Sequence, residues 1–307
     1  MPRDRIINAH NRPTSAAYCN FLQLLLVAIT LAAALPVVAD EISGKFSGVY
    51  GHETAISPAE SETNFDVQTF AGGPDADSFS QVCERLKRRI EGIWLGDSPA
   101  EHWRPACQVV LHASRESYLA SVGRSGGQTR GSSLIGRHGN MIVSRRIDLL
   151  VDQQGNTSAL AHELTHVVLA GGLGGRPLPP WLDEGIATLA DPDRKLSRHH
   201  RDCREALDRG TAFDLTRLIT LQRLSSPNQF PAFYGQSVTL VDFLCDREGP
   251  EKILPFAALA LEAGYDRALR ESFDIDGVAH LERLWLDHVQ TGQHPTPFQP
   301  VSLRSIP

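Results

Sequence analysis

Residues 162–166 read His-Glu-Leu-Thr-His, and the apolar residues around them leave little choice of geometry. Leu160, Leu164, Val167 and Val168 recur at helical spacing, which predicts a helix over about 159–170. At about 100° per residue, His162 and His166 stand one turn apart and about 40° from each other, with Glu163 at the edge of the same face. The four apolar residues occupy the other side. Such a helix packs into a core on one face and presents two imidazoles and a carboxylate on the other. Those donors suit a zinc centre: two neutral nitrogens that ligate at about 2.0–2.1 Å, and a carboxylate placed to take a proton from a bound water. With 12 histidines in 307 residues, a chance match is roughly a few-per-cent event. A solvated helix face is the plain alternative for the motif alone.

A third ligand stands downstream, in Pro179-Pro180-Trp181-Leu182-Asp183-Glu184-Gly185-Ile186-Ala187. Proline just inside a helix start is favoured, so a second helix is expected over about 180–190. Leu182, Ile186 and Leu189 fall within about 60° of one another and leave Glu184 on the far side. A carboxylate turned away from the packed stripe is what a second helix must supply to a metal held by the first. Asp183 is the competing ligand, nearer the edge of the stripe. An exposed glutamate is the bland reading.

Together, His162-Glu163-x-x-His166 and Trp181-Leu182-x-Glu184-Gly185-x-Ala187, with Glu184 eighteen residues beyond His166, resemble the gluzincin zinc metallopeptidases. The likeness is to the exported peptidase-MA-like proteins of bacteria and runs from about Asn64 to Gln290. It implies that His162, His166 and Glu184 bind one Zn2+ and that Glu163 is the catalytic base. It also implies a peptide or protein substrate, and a zincin-like fold: a small mixed sheet whose edge strand binds extended substrate above an active-site helix, with a helical lobe beyond. Phe233-Tyr234-Gly235-Gln236-Ser237 is similar to a Tyr-x-x-Ser helix start in these relatives, where a tyrosine hydroxyl steadies an oxyanion. Tyr234 is the residue that would do so here. It also lies on an apolar stripe with Val238, Val241 and Cys245, so a core role stays open. Many relatives carry an acid four residues past the ligand glutamate, where it orients a zinc-bound histidine. Thr188 stands there in this chain, and Asp191 is the substitute on the same face.

The rest of the chain frames that site. A net charge of −6 argues against a nucleic-acid partner, and Lys87-Arg88-Arg89 fits a solvated helix face. Arg3, Arg5 and Arg12 precede an apolar run from Phe21 to Val38 that ends Val37-Val38-Ala39. Residues 1–39 therefore read as an export signal, with an uncleaved membrane anchor as the alternative and the only expected membrane contact. On that reading the protein is periplasmic, cell-surface or secreted. Residues 40–60 read as a flexible tether, 61–291 as one domain and 292–307 as a tail. Export would place Cys83, Cys107, Cys203 and Cys245 in an oxidising compartment, and we expect Cys83–Cys107 and Cys203–Cys245 among the three possible pairings.

Alternation predicts strands near 64–70 and 107–112, and one long or two short strands over 141–151. Phe79, Val82, Cys83, Leu86, Ile90 and Ile93 predict a helix stopped at Gly96. Gly123 to Gly131 has neither phosphate-loop signature and reads as a mobile surface loop. Helices are expected near 196–208, 232–247, 251–263 and 278–290. The class is α+β with a helical C-terminal half. His199, His200 and Cys203 form a rival metal cluster that nothing nearby completes. A Ser-His-Asp triad is not expected, because no Gly-x-Ser-x-Gly turn occurs. Three functions follow: a zinc peptidase, a degenerate zinc-binding protein that holds cell-envelope partners without cutting, and a structural protein with an accidental motif.

Overall fold

The computed structural model describes residues 63–96 and 102–291. The expected signal, the tether with its boundary at 60/61, and the tail lie outside these residues. Within them the fold is mixed, helix-rich, with one four-stranded sheet ordered β1-β2-β4-β3. Strands β1 (Phe65–Gln68), β2 (Cys107–His112) and β4 (Met141–Leu150) run parallel, and β3 (Gly131–His138) is an antiparallel edge. The parallel pair β1–β2 needs a crossover, which α1 (Ala76–Trp94) supplies. Its cap is Asp75, whose carboxylate accepts from the Ser78 amide, and Gly96 ends it at a φ of 72°.

The alternation of β2 and β4 gives the sheet two different faces. Cys107, Val109 and Leu111, with Ile147 and Leu149, point into the core shared with α1 and α3 (Leu160–Gly172). Gln108, His112, Arg146 and Asp148 point the other way, against α2 (Arg115–Val122). Residues 124–128, expected to be loose, form a short 3-10 turn. Arg115 ties it down by donating to the Gly126 and Thr129 carbonyls.

The C-terminal half is helical, as expected: α4 (Pro180–Leu189), α5 (Asp193–Asp208), α6 (Leu215–Thr220), α7 (Phe230–Glu248), α8 (Ile253–Ala263), α9 (Tyr265–Phe273) and α10 (Val278–Thr291). The long α7 lies between α4 and α5. Two glycines permit that closeness. A methyl at Gly185 would lie 2.7 Å from the Ser237 carbonyl oxygen, and one at Gly235 would lie 2.6 Å from the Cys203 amide. No helix among the described residues is long and apolar enough to cross a membrane.

The expected disulfides are not present. Cys83, Cys107, Cys203 and Cys245 are buried free thiols. Cys203 meets α7 at Thr239, with Sγ 3.4 Å from Oγ1, whereas Cys245 stands six residues, or about 9 Å, further along that helix. Cys83 and Cys107 are neighbours across the α1–sheet contact. Burial raises both thiol pKa values, that of Cys107 to about 12, so both stay protonated and pack as small apolar groups.

Candidate metal centre

Helix α3 is buried nearly all round, and so are its polar residues: His162, Glu163 and His166 are each less than 10% exposed. Helix α4 brings Glu184 alongside. His162 Nε2 lies 3.2 Å from His166 Nε2, and Glu184 Oε2 is 3.7 Å and 3.9 Å from those two nitrogens. Ligand atoms around a tetrahedral ion at about 2.0–2.1 Å stand roughly 3.3 Å apart, so this triangle is close to one face of such a site. Among the described residues, His162, His166 and Glu184 form the cluster that could hold a metal ion.

The other ring nitrogens face carboxylates. His162 Nδ1 is 3.3 Å from Asp191 Oδ2, and His166 Nδ1 is 3.1 Å from Asp183 Oδ2. Such partners place the proton on Nδ1 and turn the Nε2 lone pair inward. It is Asp191, not Thr188, that stands behind His162, and Lys195 holds it from outside at 2.8 Å. Asp183, weighed in the sequence as a rival ligand, stands behind His166 instead.

The consequence is electrostatic. Three lone-pair atoms converge, and buried Glu184 Oε2 has no hydrogen-bond donor. Such a cluster must take up a cation or a proton. Burial works against charge on His166, but Asp183, Glu184 and Glu163 outweigh it and hold its pKa up at about 10. Burial also raises the pKa of Glu184, in spite of the two imidazoles. The residues therefore fit a divalent ion that displaces the proton.

Glu163 sits beneath the first residue of β3, its Cγ and Oε1 against the backbone of Gly131. The Tyr234 hydroxyl is turned to the same cluster, where it feels the charge of Glu184. Burial, with the charges of Glu184, Glu163 and Asp191, pushes its pKa well above the usual range. Its phenol is therefore a protonated donor at neutral pH. The ring is wedged between Phe230, at 6.0 Å, and His199, at 5.6 Å. All five residues singled out by sequence thus gather at one place. The rival cluster does not form: Cys203 turns to Thr239, and His199 stacks on Tyr234.

Sequence reasoning missed Gly131, Tyr118 and the role of Asp183. It also missed a Ser-His-Asp chain on the opposite face of the sheet. Ser117 Oγ is 2.9 Å from His112 Nδ1, and His112 Nε2 is 2.8 Å from Asp148. No local signal marks that chain, because its members come from α2, β2 and β4. No protein-family model matches the chain, and no curated protein matches it either.

Proposed function

We propose that this protein is an exported zinc-dependent metallopeptidase of the gluzincin type, with a zincin-like domain. The observation that supports it best is the convergence of His162 Nε2, His166 Nε2 and Glu184 Oε2, with no donor on that Oε2 and each histidine backed by a carboxylate. Two imidazoles and one carboxylate form a donor set that suits Zn2+ with an open position. When bound, the ion supplies a Lewis acid that makes a water acidic and polarises a carbonyl.

The chain's own residues do the rest. Glu163, one residue along from His162, accepts the proton of the attacking water and delivers it to the departing amine. Tyr234 donates its phenolic hydrogen to the oxyanion that develops at the scissile carbonyl. Asp191 and Asp183 keep both histidines in the tautomer that points Nε2 inward. As an edge strand, β3 would offer its outer backbone groups to an extended peptide. Export rests on the charged start and the apolar run of residues 21–38.

The test separates metal from chemistry. Purified protein should carry about one zinc per chain by elemental mass spectrometry, and Glu184→Ala much less. Glu163→Gln should keep its zinc and lose hydrolysis of fluorescein-labelled casein. Equal hydrolysis by Glu163→Gln and parent sinks the mechanism, and absence of zinc from the parent after incubation at neutral pH sinks the site.

A further inference from the structure

Glu163 must point along the helix face toward the histidines to serve as a base, yet among the described residues no hydrogen bond to its carboxylate fixes it there. What bears on it is backbone. A methyl on Gly131 would lie 2.7 Å from Glu163 Cγ, 2.8 Å from Oε1 and 2.7 Å from Ala159 Cβ. The first residue of the edge strand is thus seated directly on the glutamate and the start of α3, at a distance only a glycine allows.

Gly131 is itself held. The hydroxyl of Tyr118, from α2, donates to its carbonyl oxygen at 2.7 Å and pairs with Thr129 Oγ1 at 2.6 Å. Tyr118 is fully buried and packs edge-on against His112, with ring centroids 5.7 Å apart. His112 is fixed in turn by Asp148 and Ser117. A continuous set of contacts therefore runs from the far face of the sheet, through Tyr118 and Gly131, to the side chain of Glu163.

We propose that Tyr118 and Gly131 are positioning residues for Glu163: the tyrosine hydroxyl fixes the start of β3 so that the bare Gly131 backbone holds the glutamate side chain against the histidine face of α3. The kinetic consequence rests on the peptidase reading; the contact itself does not. Displacing a catalytic group by about 1 Å can cost on the order of 100-fold in rate while leaving distant binding contacts intact.

The test uses the full chain, with zinc content measured for every variant. Gly131→Ala should keep about one zinc per chain and a KM for labelled casein within about twofold of the parent, while kcat falls by about 10- to 100-fold. Tyr118→Phe, which keeps the ring and removes only the hydroxyl, should show the same split at about 3- to 10-fold. A kcat equal to the parent's in both variants, or a fall explained wholly by lost zinc, overturns the proposal.

A second readout needs no activity. Gly131→Ala should lower the melting temperature of the parent by several degrees more than it lowers that of Glu163→Ala, where the clash with the glutamate is gone and only that with Ala159 persists. Equal losses in the two backgrounds also overturn the proposal. If the parent itself cuts nothing, the peptidase reading fails, and the melting cycle still decides whether Gly131 holds Glu163.

Discussion

His162 and His166 owe their spacing to one helical turn, and that much is written in the sequence. Their orientation is owed to Asp191 and Asp183, which belong to different chain positions and reach the rings only after α4 docks on α3. Removing the charge behind one ring should therefore weaken the metal without touching a ligand. We expect Asp191→Asn to lower zinc affinity by about 10- to 100-fold, read by competition with a chelating dye. An unchanged affinity would show that the ring is held by packing alone. His199 sets a different residue-scale expectation. Its ring is buried against Tyr234, both nitrogens lack hydrogen bonds, and the nearest acid, Asp202, is 3.8 Å away. Burial, then Lys195, push its pKa down to about 4; Asp191 pulls the other way, and His162 and Arg198 add smaller downward pushes. Between pH 6.5 and 4 the unfolded chain binds a proton that the folded one refuses, so stability falls as pH falls through that window, by up to roughly 3 kcal/mol. Urea midpoints of His199→Phe, which preserves the stacking, should vary less with pH over that range. An identical slope in parent and variant refutes the assignment.

Elements were legible where their own sequence carried the period. Helix α1 shows its apolar stripe and its stop at Gly96, though its cap, Asp75, was not read from the sequence. Strand β2 shows β-branched alternation, and α4 shows proline at its start. Strand β3 shows nothing of the kind: Gly131-Ser132-Ser133-Leu134-Ile135-Gly136-Arg137-His138 has two glycines, two serines and no alternation. Its pairing with β4 and its seat on α3 make it a strand, and both are tertiary facts. Helix α2 was silent for a related reason, since of its eight residues only Tyr118 is buried. It is tied to the sheet by polar contacts instead. Asp148 accepts from Arg146, His112 and Ser121, and Arg146 also reaches Gln108. Those donors outweigh the burial that would raise the Asp148 pKa and hold it below the usual carboxylate range. The Ser117–His112–Asp148 line has the distances of a hydrolase triad, but its carboxylate is already neutralised by a guanidinium, so little charge is left to polarise the imidazole. It is cement for α2. Asp148→Asn should cost about 3 kcal/mol of stability by denaturant titration, because it strands Arg146 and His112 without their acid. Ser117 should not react with a fluorophosphonate probe. Labelling of Ser117 would overturn this view of the network.

At the scale of the whole molecule the site is a junction. Glu163 and the two histidines belong to α3, which packs on the sheet, whereas Glu184, Asp183, Asp191, His199 and Tyr234 belong to the helical half. The sequence held both motifs but not their meeting, which is made by α3 packing directly on α4, while the close approach of α7 to α4 and α5 at Gly185 and Gly235 adds Tyr234. An ion held by His162, His166 and Glu184 would join α3 to α4, so its binding energy adds to the stability of both halves. A ligand at 100 times its dissociation constant contributes about 2.7 kcal/mol, and for a domain of this size each kcal/mol moves the melting temperature by about 2–4 °C. The pH dependence has a definite sign. Without metal, His166 is charged up to about pH 10, and its contact with the surrounding carboxylates stabilises the fold fully below pH 6.5 and is lost as pH rises toward 10. Zinc must displace that proton, so its apparent affinity should rise with pH by up to about tenfold per unit below 10. The melting shift on adding a fixed excess of zinc should therefore be larger at pH 8 than at pH 6, by several degrees, and should vanish in Glu184→Ala at both. A shift that is equal at the two pH values, or that persists in the variant, would place the ion elsewhere on the molecule.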